Sequence, residues 1–262
     1  MHDPHHVSTV ELEVRDGVAV LTLNRPDAQN TVNLELARDL DDATARISGV
    51  GAVLVTGAGR SFCAGGDLKE FGAQDDLAGH VRAVVGHLHP AITRLDALDL
   101  PIVAAVRGAA AGAGLGLACA ADIVLTSPDA KFVSAYTKIG LSPDGSTSWA
   151  LPRLVGVRRA LELVLTNRVL DAEEAVAWGI ATRVVPDESL DDEAMRIATD
   201  LASGATKGLG GARRLVRDSL DRTLEAQLDA ETETLVASAS DTDALEGIKA
   251  FLSKRPPRFE SS

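Results

Sequence analysis

Aromatic side chains are scarce: five Phe, two Trp and one Tyr make up 3% of 262 residues. A chain of this length that is 45% apolar buries a sizeable core, so that core has to be filled by Ala, Val and Leu. Cysteine is scarcer still. Cys63 and Cys119 have no CxxC partner, which excludes a disulfide framework and makes a reducing, cytoplasmic setting the expectation. Positive charge is in deficit, with 26 Lys and Arg against 38 Asp and Glu and a formal net charge of −12. That balance argues against a nucleic-acid binder and against attachment to anionic lipid. It also makes the chain look like a poor host for a polyanionic ligand. A membrane-length apolar run is missing as well. The stretch that imitates one, Gly108 to Ala121 (GAAAGAGLGLACAA), is closed by Arg107 and Asp122 and falls short of the roughly 20 residues a span needs. Its length fits a buried helix of small residues. The opening residues, Met1 to His6, carry no basic segment leading into an apolar one, and their histidines read as a frayed terminus.

What is present is strand, glycine loop and helix, twice over. Val10, Leu12 and Val14 alternate with polar residues, Asp16-Gly17 supplies a two-residue turn, and Val18 to Leu23 returns, which predicts a hairpin. A helix is expected from about Leu34 to Ala45. Val53 to Thr56 reads as a buried strand running into Gly57–Asp67, with helix from Asp67 to Phe71. Ile102 to Val106 reads as a second buried strand before the glycine and alanine run, and Ile123–Leu125 and Lys131–Val133 as short strands. This order predicts an α/β core with a mainly parallel layer. Asp171-Ala172-Glu173-Glu174 predicts a capped helix start, with Gly179 as its stop after Trp178. Beyond Thr206 strand signals vanish. Leu224, Leu228 and Leu235 share one helical face, and Leu245, Ile248 and Leu252 another. The expected division is a core over 1–205 and a helical region over 206–262, whose apolar faces would pack on the core or on a neighbouring subunit.

The two glycine loops carry the chemistry. A strand–glycine–helix junction leaves backbone N–H groups free at a helix start, where they hold negative charge. A dinucleotide fingerprint fits poorly, because Leu117 stands where a third glycine belongs, and no G-K-[ST] follows either loop. His87 and His89 are two apart and not on one helical face at i, i+4, so no metal site is expected. Cys63 and Cys119 read as inert core thiols and Trp149 and Trp178 as packing residues.

Four stretches in this order and spacing resemble the enoyl-CoA hydratase/isomerase, or crotonase, superfamily: NRPDAQN from Asn24, FCAGGDLKEF from Phe62, AVRGAAAGAGLGLACAAD from Ala105, and IGLSPDGSTSWALPRL from Ile139. The resemblance runs from about Val10 to Phe259 and implies a crotonase-type spiral of ββα units with a helical C-terminal oligomerisation region. It further implies acyl-CoA thioester chemistry, a homotrimer or homohexamer, and no metal or redox cofactor, since coenzyme A enters with the substrate. Carried over residue by residue, the backbone N–H groups of Gly66 and Ala113 form an oxyanion hole for the thioester oxygen. Ala113 stands where family members usually have Gly but keeps the N–H. Arg25 and Lys254 fall where the family approaches the CoA phosphates or are ordinary surface cations, Ala64 falls in the CoA-binding set, and Asp67 and Leu68 flank the adenine end, unless Asp67 only caps the helix that begins there.

The hydratases of the family carry two glutamates, which would fall at Gly116 and Tyr136. Glycine moves no proton, and a phenol with an ordinary pKa of about 10 is a poor base at neutral pH. One carboxylate remains, Asp144 in GLSPDG, which matches the aspartate of dienoyl-CoA and epoxyphenylacetyl-CoA isomerases. Pro-Asp-Gly is also an ordinary turn sequence. The resemblance therefore implies double-bond isomerisation with Asp144 as proton shuttle and Tyr136 as a bonding or packing neighbour. Gly116 is expected to open room for a bulky acyl group. Two alternatives stay open: an enoyl-CoA hydratase using other groups, and a catalytically idle acyl-CoA binder.

Overall fold

The computed structural model describes residues 8–259, so the N-terminal histidines lie outside the described residues. Nine strands and eleven α-helices run through the described residues. In chain order the strands are β1 (Val10–Arg15), β2 (Val18–Leu23), β3 (Ala52–Gly57), β4 (Ile102–Val106), β5 (Ala109–Ala111), β6 (Ile123–Thr126), β7 (Lys131–Val133), β8 (Leu170–Asp171) and β9 (Arg183–Val184). The helices are α1 (Leu34–Ala45), α2 (Leu68–Gly72), α3 (Leu77–Ala97), α4 (Ala113–Ala120), α5 (Thr147–Val155), α6 (Val157–Thr166), α7 (Ala172–Trp178), α8 (Leu190–Ala202), α9 (Thr206–Asp218), α10 (Leu224–Ala239) and α11 (Thr242–Leu252).

Six strands form one sheet in the order β1-β2-β3-β4-β6-β9, antiparallel only at the β1–β2 hairpin. The hairpin turns at Asp16 and Gly17, both with positive φ, as the turn sequence predicts. The parallel strands are buried on both faces, which is why they read as unbroken apolar runs. Val53 and Val55 of β3 face one cluster with α1 and α3, while Leu54 faces another with Leu190, Ala194 and Ala198 of α8. The second sheet, β5-β7-β8, is small. Cys63 bridges to Ala110 of β5, so the first glycine loop continues that sheet's edge. Each pass of the chain thus contributes to the large sheet, then to the small one, then enters a helix, and this is the spiral of ββα units.

The glycine and alanine run is divided rather than a single helix. Ala109–Ala111 is strand, Gly112 turns the chain with φ +52°, and helix occupies only Ala113–Ala120. Ladder bonds to β7 hold the first part extended, a long-range pairing that local composition does not display. Asp171 and Glu174 form the reciprocal cap of α7, and Gly179 ends it in the left-handed region. Trp178 packs half-buried against the core with Arg159 and Arg168 over its ring, as expected of a packing residue, whereas Trp149 is 41% exposed and carries Arg153.

After α8 the chain is helical. Asp122 ties α9 to the core, because its two carboxylate oxygens accept from Arg213 Nε at 2.7 Å and Arg217 Nε at 2.8 Å. The outward faces of α10 and α11 are uncovered within the chain: Leu224 is 75% exposed and Phe251 83%. Of the two covers the sequence leaves open, packing on the core is not what this chain does with them. Among the described residues, no helix is long and apolar enough to cross a membrane.

Candidate active site

The two glycine loops meet. Gly65, with φ +95°, precedes Gly66, and Gly112, with φ +52°, precedes Ala113. A side chain at Gly65 would press on the Ala111 carbonyl oxygen at 3.0 Å and come within 3.6 Å of the Gly112 Cα, so the junction closes only without one. The loops are bound by main-chain bonds from Cys63 N to Ala109 O and from Ala111 N to Cys63 O, both 2.9 Å. Val32 N donates to Gly65 O at 2.7 Å and Asp67 N to Val32 O at 2.9 Å, which leaves the Gly66 amide between them out of the ladder. Ala113 opens α4, where a helix has no acceptor for its first N–H. Among the described residues, neither amide has an acceptor within the chain. Both residues line one cavity of about 550 Å³, walled by Val81, Val84, Val85 and Leu88 of α3 and by Phe71, Ile139 and Leu141. Two unpaired donors at the wall of an apolar cavity fit an oxygen that gains negative charge.

Asp144 lines the same cavity and, among the described residues, is its one carboxylate. The loop that carries it is fixed from two sides. Gly145 lies against Ala113, where an added Cβ would sit 3.6 Å from the Ala113 methyl, and Tyr136 donates its hydroxyl to the Asp144 carbonyl oxygen at 3.3 Å. Burial first, and then the Asp144 charge, push the Tyr136 hydroxyl well above the ordinary tyrosine range. It stays protonated, as a donor and not a base. Gly116 opens no space, contrary to expectation. It is buried inside α4 away from the cavity, and a Cβ there would collide with the carbonyl oxygen of Gly145. The backbone of the Asp144 loop occupies the volume a longer side chain at 116 would need.

The remaining expected residues divide. Ala64 and Leu68 line the cavity. Arg25 does not present a free cation: its guanidinium pairs with Asp67 at 3.0 Å and donates to the Thr31 carbonyl. Asp67 is the cap of α2, accepting from the N–H groups of Lys69 and Glu70, both at 3.2 Å. Burial works against its charge, but the Glu70 N–H and Arg25 outweigh it and hold the carboxyl below the usual carboxylate range. Arg25 N also donates to Asn30, whose amide group donates to the carbonyls of Ala58 and Ser61, so the NRPDAQN stretch is a clasp that pins the first loop. Lys254 is exposed just past α11 and does not line the cavity. Burial pushes the Cys63 thiol up to about 11 and that of Cys119 up to about 12, which fits inert core residues.

Sequence reasoning missed two features. The long helix α3 carried no assignment, yet it supplies a wall of the cavity. His89 on that helix was weighed only as a metal ligand. The structure sets its Nε2 3.7 Å from Asp144 Oδ2, a contact between distant segments that no local pattern announces. Among the described residues, no group of acidic, His or Cys side chains could hold a metal ion.

The family model for enoyl-CoA hydratase/isomerase matches residues 13–262. The 1,2-epoxyphenylacetyl-CoA isomerase of Escherichia coli K12 is 40% identical over 254 residues, covering 94% of this chain and 96% of that one. A 4-chlorobenzoyl coenzyme A dehalogenase of Arthrobacter is 34% identical over 255 residues, covering 95% and 91%. In structure, the enoyl-CoA hydratase of Polaromonas sp. JS666 superposes with a TM-score of 0.90 at 33% identity, over 96% of this chain and 99% of that one. Sequence and fold agree along nearly the whole length, and the chain belongs to the enoyl-CoA hydratase/isomerase family of acyl-CoA enzymes.

Proposed function

We propose that the protein shifts a double bond in an acyl-CoA. The thioester oxygen sits between the N–H groups of Gly66 and Ala113. The Asp144 carboxylate takes a proton from one carbon, the charge spreads into a dienolate whose oxygen the two amides hold, and the same carboxyl returns the proton to another carbon. The observation that carries this reading is that, among the described residues, Asp144 is the one carboxylate lining the cavity that both free amides line. One carboxyl suffices for removal and return of a proton, whereas ordered addition of water calls for a second proton-handling group. The name of the Escherichia coli relative supports the same reading. Coenzyme A enters as part of the substrate, and the route uses no metal or redox cofactor. Arg25 reaches CoA only if it leaves Asp67, so the main chain and the cavity wall carry most of the binding.

Incubation with 3-enoyl-CoA and with 2-enoyl-CoA tests the reading. Isomerisation of the first that is lost in Asp144→Ala supports it, and robust hydration of the second that survives Asp144→Ala defeats it. A carboxylate is also a nucleophile. Because a relative is a 4-chlorobenzoyl-CoA dehalogenase, the same panel includes that thioester, and chloride release would move the reading to substitution on a ring.

A further inference from the structure

The walls of the cavity are apolar, yet its carboxylate is not isolated from water. Asp144 retains 29% side-chain exposure, and the imidazole of His89, 50% exposed, stands beside it with Nε2 3.7 Å from Oδ2. Leu88, the preceding residue on α3, is buried in the cavity wall, so His89 lies at the rim where that wall meets solvent. At 3.7 Å the two groups stand within ion-pair reach and beyond a direct hydrogen bond. The other titratable or charged groups facing Asp144 are Tyr136, held protonated and bound to the Asp144 carbonyl, and Lys138, which lines the same cavity. Of these groups, the imidazole is the one whose ring offers both an accepting and a donating nitrogen.

We propose that His89 is the proton path between Asp144 and bulk water. It acts through Asp144 and is a positioning and relay residue. This inference rests on the reading of Asp144 as the base. In the step concerned, Asp144 Oδ takes the substrate C2 proton while the C–H electron pair moves into the enolate. The protonated carboxyl gives that proton to His89 Nε2, the imidazolium releases it to water, and a solvent proton returns by the same route. Asp144 then delivers the solvent proton to carbon, so the sum is exchange of one C2 hydrogen with water.

The experiment is exchange at C2 of phenylacetyl-CoA in deuterated water, followed by mass spectrometry, with isomerisation of 3-enoyl-CoA measured in parallel. Exchange by the natural protein that falls at least tenfold in His89→Gln and His89→Asn, and recovers when free imidazole is added, is the expected result. Recovery with added imidazole is the readout that a purely structural role for His89 would not give. Unchanged exchange in the two variants, or a natural protein that exchanges nothing, overturns the relay. If exchange runs through His89 while no 3-enoyl-CoA is isomerised, the isomerase reading falls and the relay stands. If isomerisation proceeds without exchange, the reverse holds.

Discussion

Helix α4 and the outward faces of α10 and α11 use the same kinds of residue to opposite ends. Leu115 and Leu117 of α4 are 1% and 4% exposed, and every residue of that helix is buried. Leu224 and Phe251 face solvent almost entirely, as does much of the apolar surface of the last two helices. The first region is completed by its own chain, with glycines that let backbone meet backbone. The second is not covered by the described residues of its own chain. We expect a second copy of the chain, in a homotrimer or homohexamer, to cover it. Apolar periodicity marks a face to be covered and says nothing about what covers it.

Substitutions can break that contrast. The largest effect belongs to Asp144→Ala, which should lower kcat for isomerisation by about 10³-fold with the fold intact, read from steady-state rates beside a circular dichroism spectrum. Next, Gly116→Leu should act on folding and not on the acyl-length preference, because the new side chain meets the Gly145 carbonyl; a loss of about 3 kcal/mol is expected in urea unfolding. A variant of normal stability that merely disfavours long acyl groups would return Gly116 to the cavity wall. Asp67→Ala removes a cap and the partner of Arg25 together and should cost about 2 kcal/mol. The Asp67 carboxyl is held below its ordinary 3.8, so its contribution is present above that pH and is lost as the pH falls through the lower folded value. Asp67→Asn should therefore flatten the acid side of the stability profile. The smallest folding effect belongs to Leu228→Lys, within about 0.5 kcal/mol for the single chain. Its signature is a smaller particle in sedimentation. A particle size that does not change would place that face outside any assembly.

The parallel layer was legible because burial on both faces leaves unbroken apolar runs, and the α7 caps because their bonds are local. Both glycine loops were legible as loops for the same reason. The division of the glycine and alanine run was not, since β5 exists by virtue of β7 about twenty residues further on. Nor was the turning of Arg25 onto Asp67, which spends a cation the sequence offered to a phosphate. The net charge of −12 told against nucleic acid and anionic lipid, yet by itself it does not weigh against an acyl-CoA, because it says nothing of local donors such as the amides of Gly66 and Ala113. The neighbour of Asp144 was hidden because contacts between distant segments leave no periodic trace, so His89 could be weighed only for metal.

The carbonyl of Gly145 packed against Gly116 also bears on how such an enzyme could change its trade. The glutamate that the family resemblance sets at 116 and the loop that presents Asp144 claim one volume. In this chain a side chain at 116 and the present course of the Gly145 backbone cannot both be accommodated. A glutamate introduced alone at 116 would expel the loop and forfeit its carboxylate before water addition could begin. A laboratory conversion should therefore change the backbone around Gly145 together with position 116.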